Sequence, residues 1–384
     1  MREDPTVAIL GSCLADGLVL LDGNRAERLD PIPSAGLVGG QTLARALHAP
    51  AETARAGTVV LEGGRRLRVD GLTDPHQLAW DGGELAAVAT LANAVLWIDR
   101  HARVVRGWRA PGEGDCWHLS GLAVGSGRMV ATAFGRFARH RDWAEQLRHD
   151  RGLVLELPSG RVVATGLSSP HSPSLVDGAL VVCDSGRGDL LVGERRVHLG
   201  SWTRGIAVMP RHLVVGVSAR RGRAGCAHVA FVRRSDLAVE RRVALPVCEI
   251  FDLLDVDASR SRAFALDDPP LPATVALRTL RVCVAAPRSA TLRAGSTATL
   301  RCTITNLADA PIAAAPPFPV SVAADWRAGR ALWSPVPPLE PGATAKVDVR
   351  VLAPEQGRHA LRLRLVQEHV GWLEGEARIE VLVT

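Results

Sequence analysis

The sequence predicts an all-β chain in which a β-propeller precedes an immunoglobulin-like β-sandwich. The propeller rests on a phrase that returns with drift: a polar or ring residue, two or three apolar residues, a turn, then an apolar run. It reads PHQLAWDGGELAAVAT at 75–90, WHLSGLAVGSGRMVATA at 117–133, PHSPSLVDGALVVCDS at 170–185 and TRGIAVMPRHLVVGVS at 203–218. Weaker copies are EIFDLLDVDASRSRAFALD at 249–267 and SAGLVGGQTLARAL at 34–47. Anchored on Ala35, His76, His118, His171, Arg204 and Phe251, the copies lie 41, 42, 53, 33 and 47 residues apart, near the roughly 40–50 of one propeller blade. Six blades is the reading, with five and seven open. The sandwich rests on a change of text after DDPPLPATVALRT at 267–279, where period-2 alternation sets in as TATLRCTIT, AKVDVRVLA and HALRLRLVQ. About 100 residues with some seven such strands fit an immunoglobulin-like module.

Taken in order, VAILGSCLADGLVLLD at 7–22 is strand-like but lacks an opening phrase of its own, so it is expected to complete the blade begun at 249–267. The turns DGG at 81–83, GSG at 125–127, LPSGR at 157–161 and SGRGD at 185–189 punctuate short strands as a meander of four-stranded blades requires. FARHRDWAEQLRHD at 137–150 reads as an exposed, charge-rich helical insertion between two strands of one blade, which accounts for the longest step. The domains are then 1–267, a linker at 268–279, and 280–384. In the second domain the buried face is expected to carry Leu300, Cys302, Ile304, Val347, Val349, Val351, Leu361, Leu363 and Leu365.

Composition bounds the rest. With 384 residues the chain exceeds the roughly 250–300 at which one core stops growing, so two domains are expected. The 37 glycines and 24 prolines, with many Val-rich runs, favour strands and turns. No apolar run approaches the roughly 20 residues that span a bilayer, and MREDPTVAIL lacks the basic end and long apolar stretch of a secretory signal. Seven scattered cysteines form no CxxC pair or disulfide-scaffold spacing, so reduced thiols and a cytoplasmic location are expected. The net charge of +6 invites nucleic acid, and twelve Arg lie between 187 and 242 against four acids. Lys346 is however the sole lysine and tyrosine is absent, which leaves few stacking platforms for bases. The basic stretch reads as a solvated face, and nucleic acid as a disfavoured partner.

The phrases HQLAWDGGEL, CWHLSGLAV, GLSSPHSPSLVDGALVVCDSGRGDL, WTRGIAVMPRHLVVGVS and EIFDLLDV resemble a bacterial family of conserved proteins without an established role. The resemblance covers about 70–267, with PHSP…DG…DSGRG its most specific part, and implies a propeller without implying a reaction. Between 25 and 70 this chain keeps little of the pattern beyond AGLVGG. The C-terminal text GSTATLRCTITNLADAPI, LEPGATAKVDVRV and LRLRLVQEHVGWL is similar to sandwich modules of bacterial enzymes and transport subunits that handle surface polysaccharides. That likeness implies glycan biology.

The candidate site follows from the repeat. The innermost strand of each blade starts near one mouth of the channel, so matching opening residues converge. His76, His118 and His171 hold that position in three consecutive copies, and three neutral imidazoles can bind one divalent metal with a site left for water or substrate. Glu249 or Asp252 could add a carboxylate ligand or a base, and Arg204 would face a carboxylate or phosphate. The plainer alternative is that each histidine bonds a backbone carbonyl of the neighbouring blade, and that Arg204 pairs with Asp184 or Asp252. Asp184 and Ser185 read first as turn caps, Cys116 and Trp117 as packing, and Trp326, Trp333 and Trp372 as core unless exposed on one face. No GxSxG, HExxH, Walker or dinucleotide motif is present. Two functions stay open: a binding protein for a glycan, glycolipid precursor, small anionic ligand or partner enzyme of an envelope-polysaccharide pathway, and a metal-dependent lyase, hydrolase or oxygenase.

Overall fold

The computed structural model describes residues 8–14, 16–48, 56–146, 150–219, 226–267, 282–314, 319–326, 332–367 and 371–384. The chain divides into two compact units at residues 269 and 270. The proposed linker 268–279 lies outside the described residues.

Among the described residues of the first unit the strands form six four-stranded antiparallel sheets. Five are sequential meanders whose first strands are Ser34–Val38, Pro75–Asp81, Leu119–Gly125, Pro170–Val176 and Trp202–Val208. The sixth is assembled from both ends of the unit: Asp252–Asp255 pairs antiparallel with Ala8–Cys13, followed by Gly17–Asp22 and Arg25–Asp30. The first strands of successive sheets lie side by side, and Asp252–Asp255 lies beside both Trp202–Val208 and Ser34–Val38. This is the closed, propeller-type arrangement that the repeat predicts. After the closing strand the text 249–267 continues as the helix Ala258–Ala263, capped by the Asp257 carboxylate on the backbone N–H groups of Ser259 and Arg260.

Two local devices recur where the first strands begin. The register slips between Ser34 and Leu37, Pro75 and Leu78, Leu119 and Gly121, His171 and Ser174, and Thr203 and Ile206. A bulge bends a strand and re-aims its side chains, and these bulges fall on or beside the anchor residues of the repeat. Hydroxyls near the end of one sheet's second strand then donate to a backbone carbonyl where the next sheet opens. Ser12 bonds the Ala35 carbonyl, Thr90 that of Leu119 (2.8 Å), Ser185 that of Thr203 (2.6 Å) and Ser218 that of Ile250 (3.3 Å). Ser120 does the same toward Pro170 at 2.6 Å, from the first strand of its sheet.

The insertion at 137–150 departs from expectation. It lies between Arg128–Ala133 and Gly152–Leu157 of one sheet, as read, but its described helical part is a single 3-10 turn at Asp142–Gln146. Phe137 and Trp143 are buried and pack with Phe134 rather than facing solvent, because the two aromatic rings outweigh the charged residues between them.

The second unit has a three-stranded sheet of Val282–Ala285, Thr297–Asn306 and Thr344–Leu352, and a five-stranded sheet. The latter runs Ser289–Leu292, Gly371–Val383, Gly357–Gln367, Val320–Trp326 and Leu332–Pro335, its first pair being parallel. One apolar core joins the two sheets. The expected inward residues are buried there, except that Leu300 is half-buried against its edge.

Close approach of the first strands requires glycine at Gly36. A Cβ there would stand 2.2 Å from the His76 carbonyl oxygen and 2.6 Å from the Gln77 Cα, backbone atoms that cannot step aside. Gly36→Ala is therefore expected to destabilise the first unit by about 1–3 kcal/mol. Gly83→Ala, at a turn with nothing within 4 Å, should shift the thermal midpoint little. Paired thermal denaturation checks both.

Candidate functional site

Every sequence-predicted opening residue sits where its first strand begins. His76 lies at the second position of Pro75–Asp81, His118 one residue before Leu119–Gly125, His171 in Pro170–Val176, Arg204 in Trp202–Val208, and Asp252 starts the closing strand. Their rings and charges meet. His76 and His118 stand edge to face with centroids 5.3 Å apart, His76 lies 5.2 Å from Phe251, and His171 lies 5.2 Å from Phe134 and 5.7 Å from Trp202. The Arg204 guanidinium carbon stands 3.3 Å from the centroid of the Phe251 ring, a cation–π contact, and its Nη1 is 3.8 Å from Glu249.

Hydrogen bonds fix the imidazoles from behind. His76 Nδ1 is 3.2 Å from the Asp74 carbonyl oxygen, and His171 Nδ1 is 2.9 Å from the Ser169 carbonyl and from Ser185 Oγ, whose own proton goes to Thr203. Since a carbonyl only accepts, both rings carry the proton on Nδ1 and present Nε2 as an acceptor. The carbonyls belong to each histidine's own turn, not to the neighbouring sheet. Burial, followed by the charges of His118 and Arg204, holds His76 well below the ordinary imidazole range; burial, then Arg204 and His118, does so for His171.

His118 is held differently. Its Nδ1 lies 2.9 Å from Asp115 Oδ2, and the same carboxylate oxygen accepts from Trp143 Nε1 at 3.0 Å. Trp143 also packs on the imidazole, with centroids 3.9 Å apart, and Phe134 lies 4.2 Å from the same ring and 5.4 Å from Trp143. The backbone at His118 is left-handed, φ 49°, a conformation that costs a non-glycine residue on the order of 1 kcal/mol. Burial pushes the Asp115 carboxyl up to about 7.

Asp252 is 3% exposed and ties three sheets together. Its oxygens accept from the backbone N–H groups of Leu37 (2.9 Å) and Leu253 (3.0 Å) and from Gln77 Nε2 (3.3 Å), while Gln77 Oε1 accepts from Leu122 N–H at 3.1 Å. Burial pushes its carboxyl up to about 7 despite those donors. Asp184 belongs elsewhere: Ser168 N–H, Arg187 and Arg196 bind its carboxylate, so it fastens a turn, whereas Ser185 supports His171. Cys116 is buried, accepts from Asn93 Nδ2 at 3.2 Å and packs as expected, beside a buried Trp117. In the second unit Trp326 is buried and Trp333 half-buried, while Trp372 is 44% exposed with Arg364 over its ring.

The metal expected on His76, His118 and His171 does not fit this arrangement. Among the described residues no group of three or more His, Cys, Asp or Glu is placed to hold a metal ion. The physical reason is that His76 and His118 meet ring edge to ring face instead of turning two nitrogens toward one point. Sequence reasoning passed over Asp115, Asp74, Phe134, Trp143 and Gln77. A signal existed for the first two, an Asp two or three residues before the histidine in DPH and DCWH.

The buried acids and imidazoles pull stability in opposite directions with pH. A depressed histidine stabilises the fold above its ordinary value near 6.5 and loses that contribution as pH falls; a raised carboxyl stabilises it below about 4 and loses that contribution as pH rises through about 7. The advantage of the natural chain over His171→Gln should therefore shrink by about 1 kcal/mol per pH unit below 6.5. Its advantage over Asp252→Asn should grow over the same range. Urea denaturation at pH 7.0, 6.0 and 5.0 measures both slopes.

Solved structures similar to this chain include a nidogen/laminin complex, with 10% identity over 65% of this chain and 97% of that one at a TM-score of 0.47. Others are a calcium-binding protein, regucalcin, from Agrobacterium tumefaciens (12%, 59% and 79%, 0.43) and a luciferin-regenerating enzyme (9%, 57% and 78%, 0.42). None of the curated proteins matches the sequence. Residues 49–247, more than half of the chain and all but two of the anchor residues above, match the family described as Domain of unknown function (DUF4915), and the chain belongs to that family.

Proposed function

We propose that this is a six-bladed propeller with an immunoglobulin-like module, and that the propeller binds a glycan or glycolipid precursor carrying an acidic group. The observation that carries the reading is Arg204, 3% exposed and set over Phe251 among His76, His118 and His171. A guanidinium keeps its charge at any physiological pH and grips carboxylate or phosphate with paired donors. The neutral imidazoles accept hydroxyl protons through Nε2. Trp202, half-buried beside His171, adds aromatic surface of the kind that packs on sugar rings. A few polar groups set in an aromatic surround is the usual composition of a small-molecule site. The likeness of the C-terminal text to modules of polysaccharide-handling proteins points the same way, toward an envelope-polysaccharide pathway in the cytoplasm.

Titration calorimetry with oligogalacturonate and with the neutral maltooligosaccharide of equal length tests the reading. The acidic sugar should bind in preference, and Arg204→Gln should raise its Kd tenfold or more, as loss of a charge-assisted hydrogen bond of about 1.5–3 kcal/mol requires. Equal affinity for the two sugars, or an unchanged Kd in a folded Arg204→Gln variant, would overturn it.

A further inference from the structure

His118 is built unlike the other two histidines of the ring, and binding alone does not account for it. His76 and His171 lean on backbone carbonyls. His118 leans on a carboxylate that is itself 1% exposed, packs against both Phe134 and Trp143, and occupies a left-handed backbone position. Trp143 serves twice, since its Nε1 donates to Asp115 while its ring packs on the imidazole. Both the orientation and the proton-bearing nitrogen of His118 are thereby fixed. A buried carboxylate on Nδ1 is the arrangement that keeps an imidazole oriented for accepting a proton at Nε2 and steadies the imidazolium that results.

We propose that Asp115 and His118 form a proton-transfer dyad, and that the site cleaves a 4-linked uronic acid residue by β-elimination with His118 as its base. The inference rests on the acidic-sugar reading above and names the substrate class within it. Imidazole can remove a proton from carbon only where the electron pair left behind is delocalised and met by positive charge. In an acidic sugar that place is the carbon beside the carboxylate, and Arg204 supplies the charge. His118 Nε2 takes the C5 proton, the electron pair passes through the carboxylate and then forms the C4–C5 double bond, and the C4–O4 bond breaks. The departing O4 takes the proton back from His118. Nothing is oxidised or reduced overall, and no water is consumed. Asp115 is a positioning residue in this scheme and His118 the catalytic one. The groups facing the dyad are His76 and Asp74 from the preceding sheet, His171 from the following one, and His140 and Arg141 from the insertion, while Arg204 acts on His76 and His171.

The test incubates the full chain with oligogalacturonate, alginate and hyaluronan, each of which holds 4-linked uronic acid. It follows the ultraviolet absorbance of the unsaturated product, confirmed by mass spectrometry, beside calorimetric binding of the same sugars. The expected result is unsaturated product from at least one of them, with kcat about a hundredfold lower or less in His118→Asn and in Asp115→Asn and KM within about twofold of the natural chain. Arg204→Gln should instead raise KM. Asn tolerates the left-handed backbone at 118, and Asp115→Asn is nearly isosteric, so either variant that melts normally decides the matter. Binding without unsaturated product overturns the dyad and leaves the binding reading standing. No binding of any of the three overturns both. Product formed equally well by a folded variant of either residue overturns the dyad.

Discussion

Among the described residues a hydroxyl hydrogen bond fastens five of the six sheets of the first unit to the one after it, and the candidate site lies where those bonds fall. Ser12, Thr90, Ser185 and Ser218 each close the apolar run of one sheet and donate to the carbonyl that opens the next. Adjacent strands of a single sheet hold one another through their ladders, whereas neighbouring sheets are joined largely by side-chain packing, which is non-directional. A short, directional bond at one end pins the start of five of the six first strands to the sheet before it. The bulges beside it then turn the opening side chains out of the regular alternation. His76, His171 and Arg204 meet because three separate bulges stand at one height around the ring.

The same convergence creates the electrostatic problem that the residues then solve. Burying a charge without partners is costly, and the usual response is a shift toward the neutral form. The imidazoles of His76 and His171 respond in that way, as do Asp115 and Asp252 with carboxyls raised to about 7. Arg204 cannot, because a guanidinium does not lose its proton, and it rests instead over the Phe251 ring with Glu249 at 3.8 Å. Near neutral pH Arg204 therefore keeps its charge beside His76 and His171, whose own charge is held back by burial.

Much of this was legible in the sequence. The drifting phrase located all six first strands and the anchors His76, His118, His171 and Arg204, since a repeat places equivalent residues at equivalent heights. The pairing of 7–22 with the last strand followed from a strand pattern without an opening phrase. What stayed hidden was lateral. Asp115 lies in a Gly-rich turn, where an aspartate reads as a cap, and Trp143 lies in a charged segment whose period suggested an exposed helix. Their roles depend on a contact between residues 28 apart that no periodicity encodes. The metal reading failed for a related reason: the repeat fixed which residues converge, while the turn behind each one fixed how its ring is oriented.

Stability alone gives no reason for the Asp115–His118–Trp143 group. A buried pair of ionisable residues can often be exchanged for apolar ones of similar volume without loss, and sometimes with a gain of about 1–4 kcal/mol. The left-handed backbone at His118 adds strain on the order of 1 kcal/mol, and the turn at Asp74 and Ser172 repeats it at φ 49° beside the other two histidines. Strain that recurs in three sheets, always within two residues of an imidazole, is over-determined by the surrounding hydroxyl bonds and bulges. The apolar rings of Phe134, Trp143 and Phe251 supply enough buried surface to carry it. The fold thus spends rigidity on holding three imidazoles in set orientations, at a cost that packing alone does not require.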